Sequence, residues 1–181
     1  KCDITTNKLK KYKARLNLHG VMQVYGMNYY ETYAPVVTWF SIRLLIVIGI
    51  LFQWALHQCD FDMAYPQAQC DLNMELPQGI QTSEGDSKDH VLKLLKNIYG
   101  QKQAGQVWNE FLIDKLTSIG FKASLIDDCV FYRNNIIFMV YVDDGIFLGK
   151  DDEQLKSVIQ EIQAIGLNIK DQGHPADYVG V

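Results

Sequence analysis

The fold is decided by residues 138–149, which read FMVYVDDGIFLG. Two apolar runs flank the polar residues Asp143, Asp144 and Gly145. Asp-Gly between apolar runs is typical of the tight turn of a β-hairpin. We therefore predict strands over residues 136–142 and 145–149, with two adjacent carboxylates exposed where the strands meet.

The paired aspartates allow two interpretations. Adjacent carboxylates repel each other, and a divalent cation offsets that repulsion, so Asp143 and Asp144 are candidate metal ligands. Asp-Asp-Gly is also a common polar turn without any ligand. The hairpin taken alone leaves both interpretations open.

A second acidic position lies far upstream, in residues 54–65, which read WALHQCDFDMAY. Asp60 stands where the predicted strand 54–61 leaves the core. If this strand and the hairpin lie side by side in one sheet, three carboxylates point into one cleft. Mg²⁺ and Mn²⁺ prefer such oxygen ligands, and two such ions can activate a hydroxyl and stabilise a leaving group in phosphoryl transfer.

The rest of the chain alternates helical and extended patterns. Thr38 or Ser41 can cap a helix that runs to about residue 52, and its apolar run 44–52 is typical of a buried helix, too short to span a bilayer. Further helices are predicted over 103–119, ended by Gly120, and over 151–165; further strands are predicted over 11–18, 91–95, 129–132 and 167–170. This mixed order predicts an α+β fold with a sheet covered on one face.

Composition limits the possible functions. The 181 residues are 48% hydrophobic and 21% charged, which excludes a disordered or low-complexity chain and fits one domain or two small subdomains. The net charge of -4 argues against a free-standing nucleic-acid binder that depends on bulk positive charge. The four cysteines form no C-x-x-C pair, which disfavours a zinc site and indicates reduced thiols in an intracellular protein.

Charge is unevenly distributed along the chain. Residues 1–15 contain six basic residues and one acidic residue, whereas residues 127–181 contain ten acidic and four basic residues. A basic arm beside an acidic body can hold a polyanion next to a metal site. An exposed, solvated N-terminal segment is the simpler alternative.

Several segments resemble one family. YVDD at residues 141–144 resembles the signature hairpin of reverse transcriptases, and DFDMAY at residues 60–65 resembles their first metal-binding motif. IYGQKQAGQVW at residues 98–108 is similar to the LYGLKQAPRAW block of copia-type retrotransposon polyproteins. Further matches, in the family's order, lie at residues 12–16, 31–37, 42–45 and 169–173.

The resemblance implies a fold and an activity. It implies an RNA- and DNA-templated DNA polymerase of fingers-and-palm architecture, with an antiparallel palm sheet and helices packed on one face. Residues 1–181 would form the fingers and palm, with the N-terminal edge of the fingers, the thumb and the ribonuclease H part outside them. The reaction would transfer a deoxynucleotide to a primer 3′-hydroxyl.

The resemblance also implies a set of site residues. Asp60 and Asp143 would bind two Mg²⁺ or Mn²⁺ ions with support from Asp144, and the Phe61 carbonyl would be a further ligand. Tyr65 would lie under the sugar of the incoming nucleotide and select deoxynucleotides. The remaining candidates for nucleotide contacts are Lys13, Arg15, Tyr99, Gly100, Lys102 and Gln103.

Partners follow from the same resemblance: an RNA or DNA template with its primer, deoxynucleoside triphosphates and the rest of a Pol polyprotein, with no membrane. The expected location is the cytoplasm, in the element's virus-like particle, with nuclear access and no secretion. The chain departs from the family pattern at Asp62, Gly105 and Gln106. These departures leave open a catalytically inactive relic that folds and at most binds nucleic acid. The interpretation of Asp-Asp-Gly as only a turn leaves open a plain α+β interaction domain.

Overall fold

The computed structural model describes residues 12, 14–77, 79–80 and 90–175. Helices are interspersed among runs of strands along these ranges. The helices are α1 (Trp39–Leu51), α2 (Ala64–Gln67), α3 (Ala104–Ser118) and α4 (Asp152–Ala164), and a short 3₁₀ turn spans Gly20–Met22. The strands are β1 (Ala55–Phe61), β2 (Gln69–Glu75), β3 (Val91–Lys96), β4 (Lys122–Ala123), β5 (Val130–Arg133), β6 (Ile136–Tyr141), β7 (Asp144–Gly149) and β8 (Ile169–Gly173).

Six of these strands form one antiparallel sheet in the order β4-β5-β6-β7-β1-β8. The predicted hairpin lies near its middle, where β6 and β7 pair from Ile136 opposite Gly149 to Tyr141 opposite Asp144. The upstream strand β1 is the other neighbour of β7. The mixed helix and antiparallel-sheet architecture and the hairpin are confirmed.

Helices pack on both faces of this sheet, which corrects the expectation of helices on one face. Gly149 of β7 lies against Leu155 of α4, whereas a Cβ on Gly49 of α1 would lie 3.3 Å from the side chain of Leu148. Successive strand residues point to opposite faces, so α4 and α1 cover opposite faces. The reason is visible in β7, where Gly145–Gly149 are all buried and neither face can remain solvated.

Helix α1 begins as predicted. Thr38 is its N-cap, and its hydroxyl accepts a hydrogen bond from the backbone N–H of Ser41 at 3.2 Å. The buried carboxylate of Asp127 accepts bonds from the Thr38 backbone N–H at 3.0 Å and the Ser41 hydroxyl at 2.6 Å. The expectation of a buried helix is correct for one face only, since Leu44 and Leu51 are exposed.

The two later helices also follow their end signals. Gly120, with a φ of +88°, follows α3, and its N–H bonds the Thr117 carbonyl while the Phe121 N–H bonds the Leu116 carbonyl. This pattern is a Schellman motif, which glycine favours because of its positive φ. Helix α4 starts at Asp151, whose carboxylate accepts the Glu153 N–H at 3.0 Å.

Two features of the N-terminal half differ from the expectation. The predicted strand over residues 11–18 is wrong within the described part: only Asn17 forms a bridge there, to Tyr99, and the side chains of 14–17 are exposed. Strand β2 was not predicted, because its sequence QCDLNME contains no β-branched or aromatic residue. It pairs with β3, and the polar stretch 78–89 between them lies outside the described residues except for 79–80.

A buried histidine ties three elements together. His57 of β1 is 3% exposed, and its ring nitrogens lie 2.7 Å from Asp152 of α4 and 3.0 Å from Asp171 of β8. Hydrogen bonds from Lys156 and then from His57 lower the pKa of Asp152 to about 2. The first turn of α4 is therefore held to the edge of the sheet by polar contacts.

Cysteine chemistry and membrane topology can be stated for the described residues. Cys59 and Cys129 are buried free thiols, and Cys70 is a half-buried one; Cys2 lies outside the described residues. Burial raises the pKa of Cys129 to about 12. No helix in the described ranges has the length and apolar character needed to cross a membrane.

Candidate active site

The acidic residues from distant stretches meet at one end of the β1–β7 pair. Asp60 is the penultimate residue of β1, Asp144 is the first residue of β7, and the two face each other in the antiparallel register. Side chains opposed in this way share a face, with Cβ atoms about 4.5–5.5 Å apart. Asp143 occupies the turn just before Asp144, and its carbonyl accepts the Phe61 N–H at 2.8 Å.

The electrostatics reflect this proximity. Partial burial raises the pKa of Asp144, and the carboxylates of Asp143 and then Asp60 raise it further. Each neighbouring negative charge disfavours ionisation of the next carboxyl group. A bound cation would therefore reduce the electrostatic repulsion among these three carboxylates.

The donor set fits a hard divalent cation. Asp60, Asp143 and Asp144 offer only carboxylate oxygens, the ligand type that Mg²⁺ and Mn²⁺ prefer. Across the described ranges, no group of three or more histidine, cysteine, aspartate or glutamate side chains is arranged as a metal-binding cluster. The chemistry of the three acids and their mutual repulsion thus support a cation here, while their side chains do not form a complete ligand cage.

Backbone contacts fix the turn that carries Asp143. Val142 has a φ of +59°, an uncommon left-handed conformation for a β-branched residue. The indole N–H of Trp108 donates to the Val142 carbonyl at 2.8 Å, and Trp108 is 2% exposed and packs edge-on against Phe61 with ring centroids 5.3 Å apart. Helix α3 therefore braces the acidic turn through the Trp108 indole.

An open cavity of about 750 Å³ adjoins the acids. Asp60, Phe61 and Asp143 form one wall of it. The other lining residues come from the N-terminal segment, the β1–α2 connection and the residues after β3: Tyr12, Ala14, Arg15, Leu16, Asp62, Met63, Pro66, Ile98 and Tyr99. The cavity is large enough for a nucleotide-sized ligand.

Arg15 and Tyr99 lie together in this cavity. The Arg15 guanidinium carbon is 4.6 Å from the centroid of the Tyr99 ring, a cation–π contact. Gly100 follows with a φ of +90°, and a Cβ there would lie 2.1 Å from the Leu18 carbonyl oxygen. Only glycine permits this close passage of the two backbones.

Tyr65 of α2 is near the acids. Its ring centroid lies 5.2 Å from that of Tyr99. Burial, then the charge of Asp143, then Tyr99 raise the pKa of the Tyr65 hydroxyl. Tyr65 is half-buried beside Tyr99 and lines a separate small pocket with Gly105 and Trp108, not the 750 Å³ cavity.

Two further predicted nucleotide contacts face another part of the protein. Lys102 donates its backbone N–H to the Gln23 side chain at 2.7 Å, and its ammonium group lies 3.1 Å from the Tyr29 hydroxyl. The Gln103 amide bonds Gln23 at 3.0 Å and the Asn28 carbonyl at 3.2 Å. These side chains hold the 23–29 segment and do not line the 750 Å³ cavity. Lys13 lies outside the described residues.

Sequence reasoning missed two contributors to the site. Lys170 of β8 lies opposite Asp60 and forms a 2.6 Å ion pair with Asp62, which raises the pKa of Lys170. Trp108 is a core residue, and its indole also holds the acidic turn. Lys170 is identified by the antiparallel pairing of β8 with β1, which is a feature of the tertiary structure. No sequence signal indicates which carbonyl an indole will contact.

Two of the three positions that depart from the family pattern, Gly105 and Gln106, lie in the first turn of α3, whereas Asp62 follows β1 and pairs with Lys170. A Cβ on Gly105 would be 3.1 Å from the Cβ of Ala34. The Gln106 amide donates to Glu110 one turn later, at 2.9 Å. Neither of these contacts involves the acidic turn.

Comparison with known proteins gives one family. The family described as reverse transcriptase (RNA-dependent DNA polymerase) matches residues 1–181. The chain is 34% identical over 158 residues to the Retrovirus-related Pol polyprotein from transposon RE2 of Arabidopsis thaliana, covering 85% of this chain and 11% of that protein.

Two other relatives match over nearly the whole chain. Identity is 31% to the Pol polyprotein from transposon RE1 of Arabidopsis thaliana, covering 96% of this chain and 12% of the relative. It is 29% to the Pol polyprotein from transposon TNT 1-94 of Nicotiana tabacum, covering 96% and 13%. The chain thus spans 11–13% of the length of these curated relatives.

Proposed function

The chain belongs to the reverse transcriptase (RNA-dependent DNA polymerase) family, and we propose that it is the polymerising part of a copia-type Pol polyprotein. The proposed reaction joins a primer 3′-hydroxyl oxygen to the α-phosphorus of a deoxynucleoside triphosphate and releases pyrophosphate. The observation that carries the proposal is the pairing of Asp60 with Asp144 beside the turn that holds Asp143.

In this proposal the acids hold divalent metal. Asp60, Asp143 and Asp144 supply carboxylate oxygens, and the Phe61 carbonyl is a further ligand. Two bound Mg²⁺ or Mn²⁺ ions would supply charge neutralisation and activation of the attacking hydroxyl. The raised pKa of Asp144 supports this assignment, because a carboxylate crowded by like charges gains most from a cation.

Residues in and beside the cavity would bind and orient the nucleotide. Arg15 is suited to a triphosphate through its forked donors, and its stacking on Tyr99 keeps the guanidinium in the cavity. Tyr65 would lie against the sugar and exclude a 2′-hydroxyl. Gly100 permits close backbone approach beside them, while Lys13 remains a proposed triphosphate contact.

Lys102 and Gln103 take an indirect role in this scheme. Their hydrogen bonds to Gln23 and Asn28 position the 23–29 segment relative to α3. Nucleotide contact by these two side chains would require them to exchange those partners for the ligand. The proposed partners are a primed RNA or DNA template and the rest of the polyprotein, in the cytoplasmic particle of the element with access to the nucleus.

Primer extension by the parent polyprotein tests the proposal. Asp143→Asn is expected to lower the extension rate at least ~100-fold, since loss of a metal ligand costs about 3 kcal/mol of transition-state stabilisation. The matched control is Asp114→Asn, on the exposed side of α3, which is expected to leave the rate unchanged.

The same assay distinguishes the proposed polymerase from the main alternative, a catalytically inactive relic. Equal absence of extension by the wild type and Asp143→Asn, with unchanged folding, would identify a folded relic. Full activity of Asp143→Asn would refute the assignment of the acidic turn.

A further inference from the structure

Helix α1 is apolar on every side, although only one side is buried. Its sequence, WFSIRLLIVIGIL, contains a single charged residue, Arg43. One face packs on the sheet through Ser41, Ile42, Leu45 and Gly49. A helix that is hydrophobic all round is normally enclosed by protein or lipid.

The outward face of α1 is solvent-exposed in the described structure. Phe40 is 71% exposed and Leu51 is 72% exposed, and the two lie about three turns apart along the same stripe. The α1 stripe, as we name it, consists of Trp39, Phe40, Leu44, Val47, Ile50 and Leu51. Helical spacing places these residues on one side of the helix, opposite the buried face.

A loop extends this surface at the N-terminal end of the helix. Leu125 and Ile126 are almost fully exposed, and the next residue, Asp127, is tied to the first turn of α1 through Thr38 and Ser41. Because the Asp127 carboxylate also accepts the Cys129 N–H, the loop is held from both sides. The apolar tip is therefore fixed beside α1.

We propose that the α1 stripe and the 125–126 tip form a docking surface for another segment of the same polyprotein, outside residues 1–181. The occupant is an apolar segment carrying an acidic side chain opposite Arg43, for which the described part of the chain provides no ion pair. The length of the relatives supports an occupant in the same polypeptide, since residues 1–181 correspond to 11–13% of them.

The size of the surface favours a tethered segment over a second copy. A 13-residue helix is about 20 Å long and about 10 Å wide. A stable free dimer buries about 800 Å² on each partner, which one face of such a helix does not supply. A segment in the same chain needs less area, because tethering raises its effective concentration.

The first test measures accessibility within the parent polyprotein. Val47→Cys, at a half-exposed position of the stripe, is expected to react with a maleimide at least ~10-fold more slowly in the native than in the urea-unfolded protein. Gln160→Cys, on the exposed side of α4, is the matched control and is expected to react at nearly equal rates in both states. Peptide mass spectrometry separates these signals from the native cysteines. Equal labelling at both positions in the native protein would overturn the proposal.

The second test identifies the occupant. A photo-crosslinking phenylalanine analogue replaces Val47 in a mixture of unlabelled and ¹⁵N-labelled polyprotein. The proposal is supported if residue 47 crosslinks to peptides from outside residues 1–181 and both peptides of each pair carry the same isotope label. Such pairs come from a single polypeptide. Mixed light–heavy pairs indicate a second copy and overturn it, as do crosslinks confined to residues 1–181. Neither readout depends on polymerisation, so a catalytically silent protein tests this inference equally well.

Discussion

Replacement of Trp108 by phenylalanine is expected to loosen the acidic turn and to lower the free energy of unfolding by about 2–4 kcal/mol. The indole N–H donates to the Val142 carbonyl at 2.8 Å, and the side chain is 2% exposed. Loss of the bond leaves a part-buried carbonyl unpaired, which costs about 1–3 kcal/mol. The smaller ring adds a cavity cost of roughly 1 kcal/mol.

Urea unfolding followed by circular dichroism measures this change. With a slope of about 2 kcal/mol per molar urea, the midpoint should fall by about 1–2 M. Trp54→Phe is the matched control, because Trp54 is half-buried and no hydrogen bond of its indole is present among the described residues. Its midpoint is expected to fall by less than about 0.5 M.

A local readout distinguishes bracing of the turn from general loss of packing. The Phe61 N–H donates to the Asp143 carbonyl, one residue beyond the bond that Trp108 makes. In Trp108→Phe this amide should exchange with solvent faster than the change in global stability requires. Equal midpoints for the two tryptophan variants, together with unchanged exchange at Phe61, would refute the bracing role.

Two further predictions concern stability. Gly100→Ala should lower the free energy of unfolding by about 3 kcal/mol or more, because its φ is +90° and a Cβ would lie 2.1 Å from a backbone oxygen. The control Gly26→Ala, with a φ of +81° and open space around it, should lower it by about 1 kcal/mol. Thermal unfolding compares the two variants, and equal losses of stability would contradict the close passage of the backbones at Gly100. Hydrogen bonds, chiefly from Lys156, lower the pKa of Asp152 to about 2. The Asp152 carboxylate therefore stabilises the fold above its unfolded pKa of 3.8, and this contribution is lost as pH falls through 2. Asp152→Asn should therefore lose less stability than the wild type between about pH 4 and pH 2. Asp114→Asn should retain the wild-type pH profile, and an identical profile for both variants would show that the contact contributes nothing.

Much of the site was predictable because it is encoded locally. Apolar runs around Asp-Asp-Gly specify a hairpin, and a strand ending in an acid specifies a candidate partner for it. The helix ends at Thr38, Gly120 and Asp151 follow from capping chemistry that involves only neighbouring residues. Such signals can be recognised in the sequence without knowledge of the tertiary structure.

Other parts were not predictable for physical reasons. The N-terminal segment alternates like a strand, yet its described residues form only the bridge from Asn17 to Tyr99, because a strand needs a partner that sequence does not specify. Helix α1 was expected to be buried from its apolar composition, and the structure exposes half of it. Composition reports how much apolar surface a helix has, not which neighbour covers it.

The amino-acid sequence by itself determined the acidic hairpin, the second acid on its own strand and the family, since these depend on residue order alone. Tertiary structure decided that β1 lies beside β7 in a register that sets Asp60 opposite Asp144. It also decided that Lys102 and Gln103 bind the 23–29 segment, while Arg15 stacks on Tyr99. The physical reason is that strand pairing and long side-chain contacts join residues tens of positions apart, and burial over the whole sheet selects among those pairings.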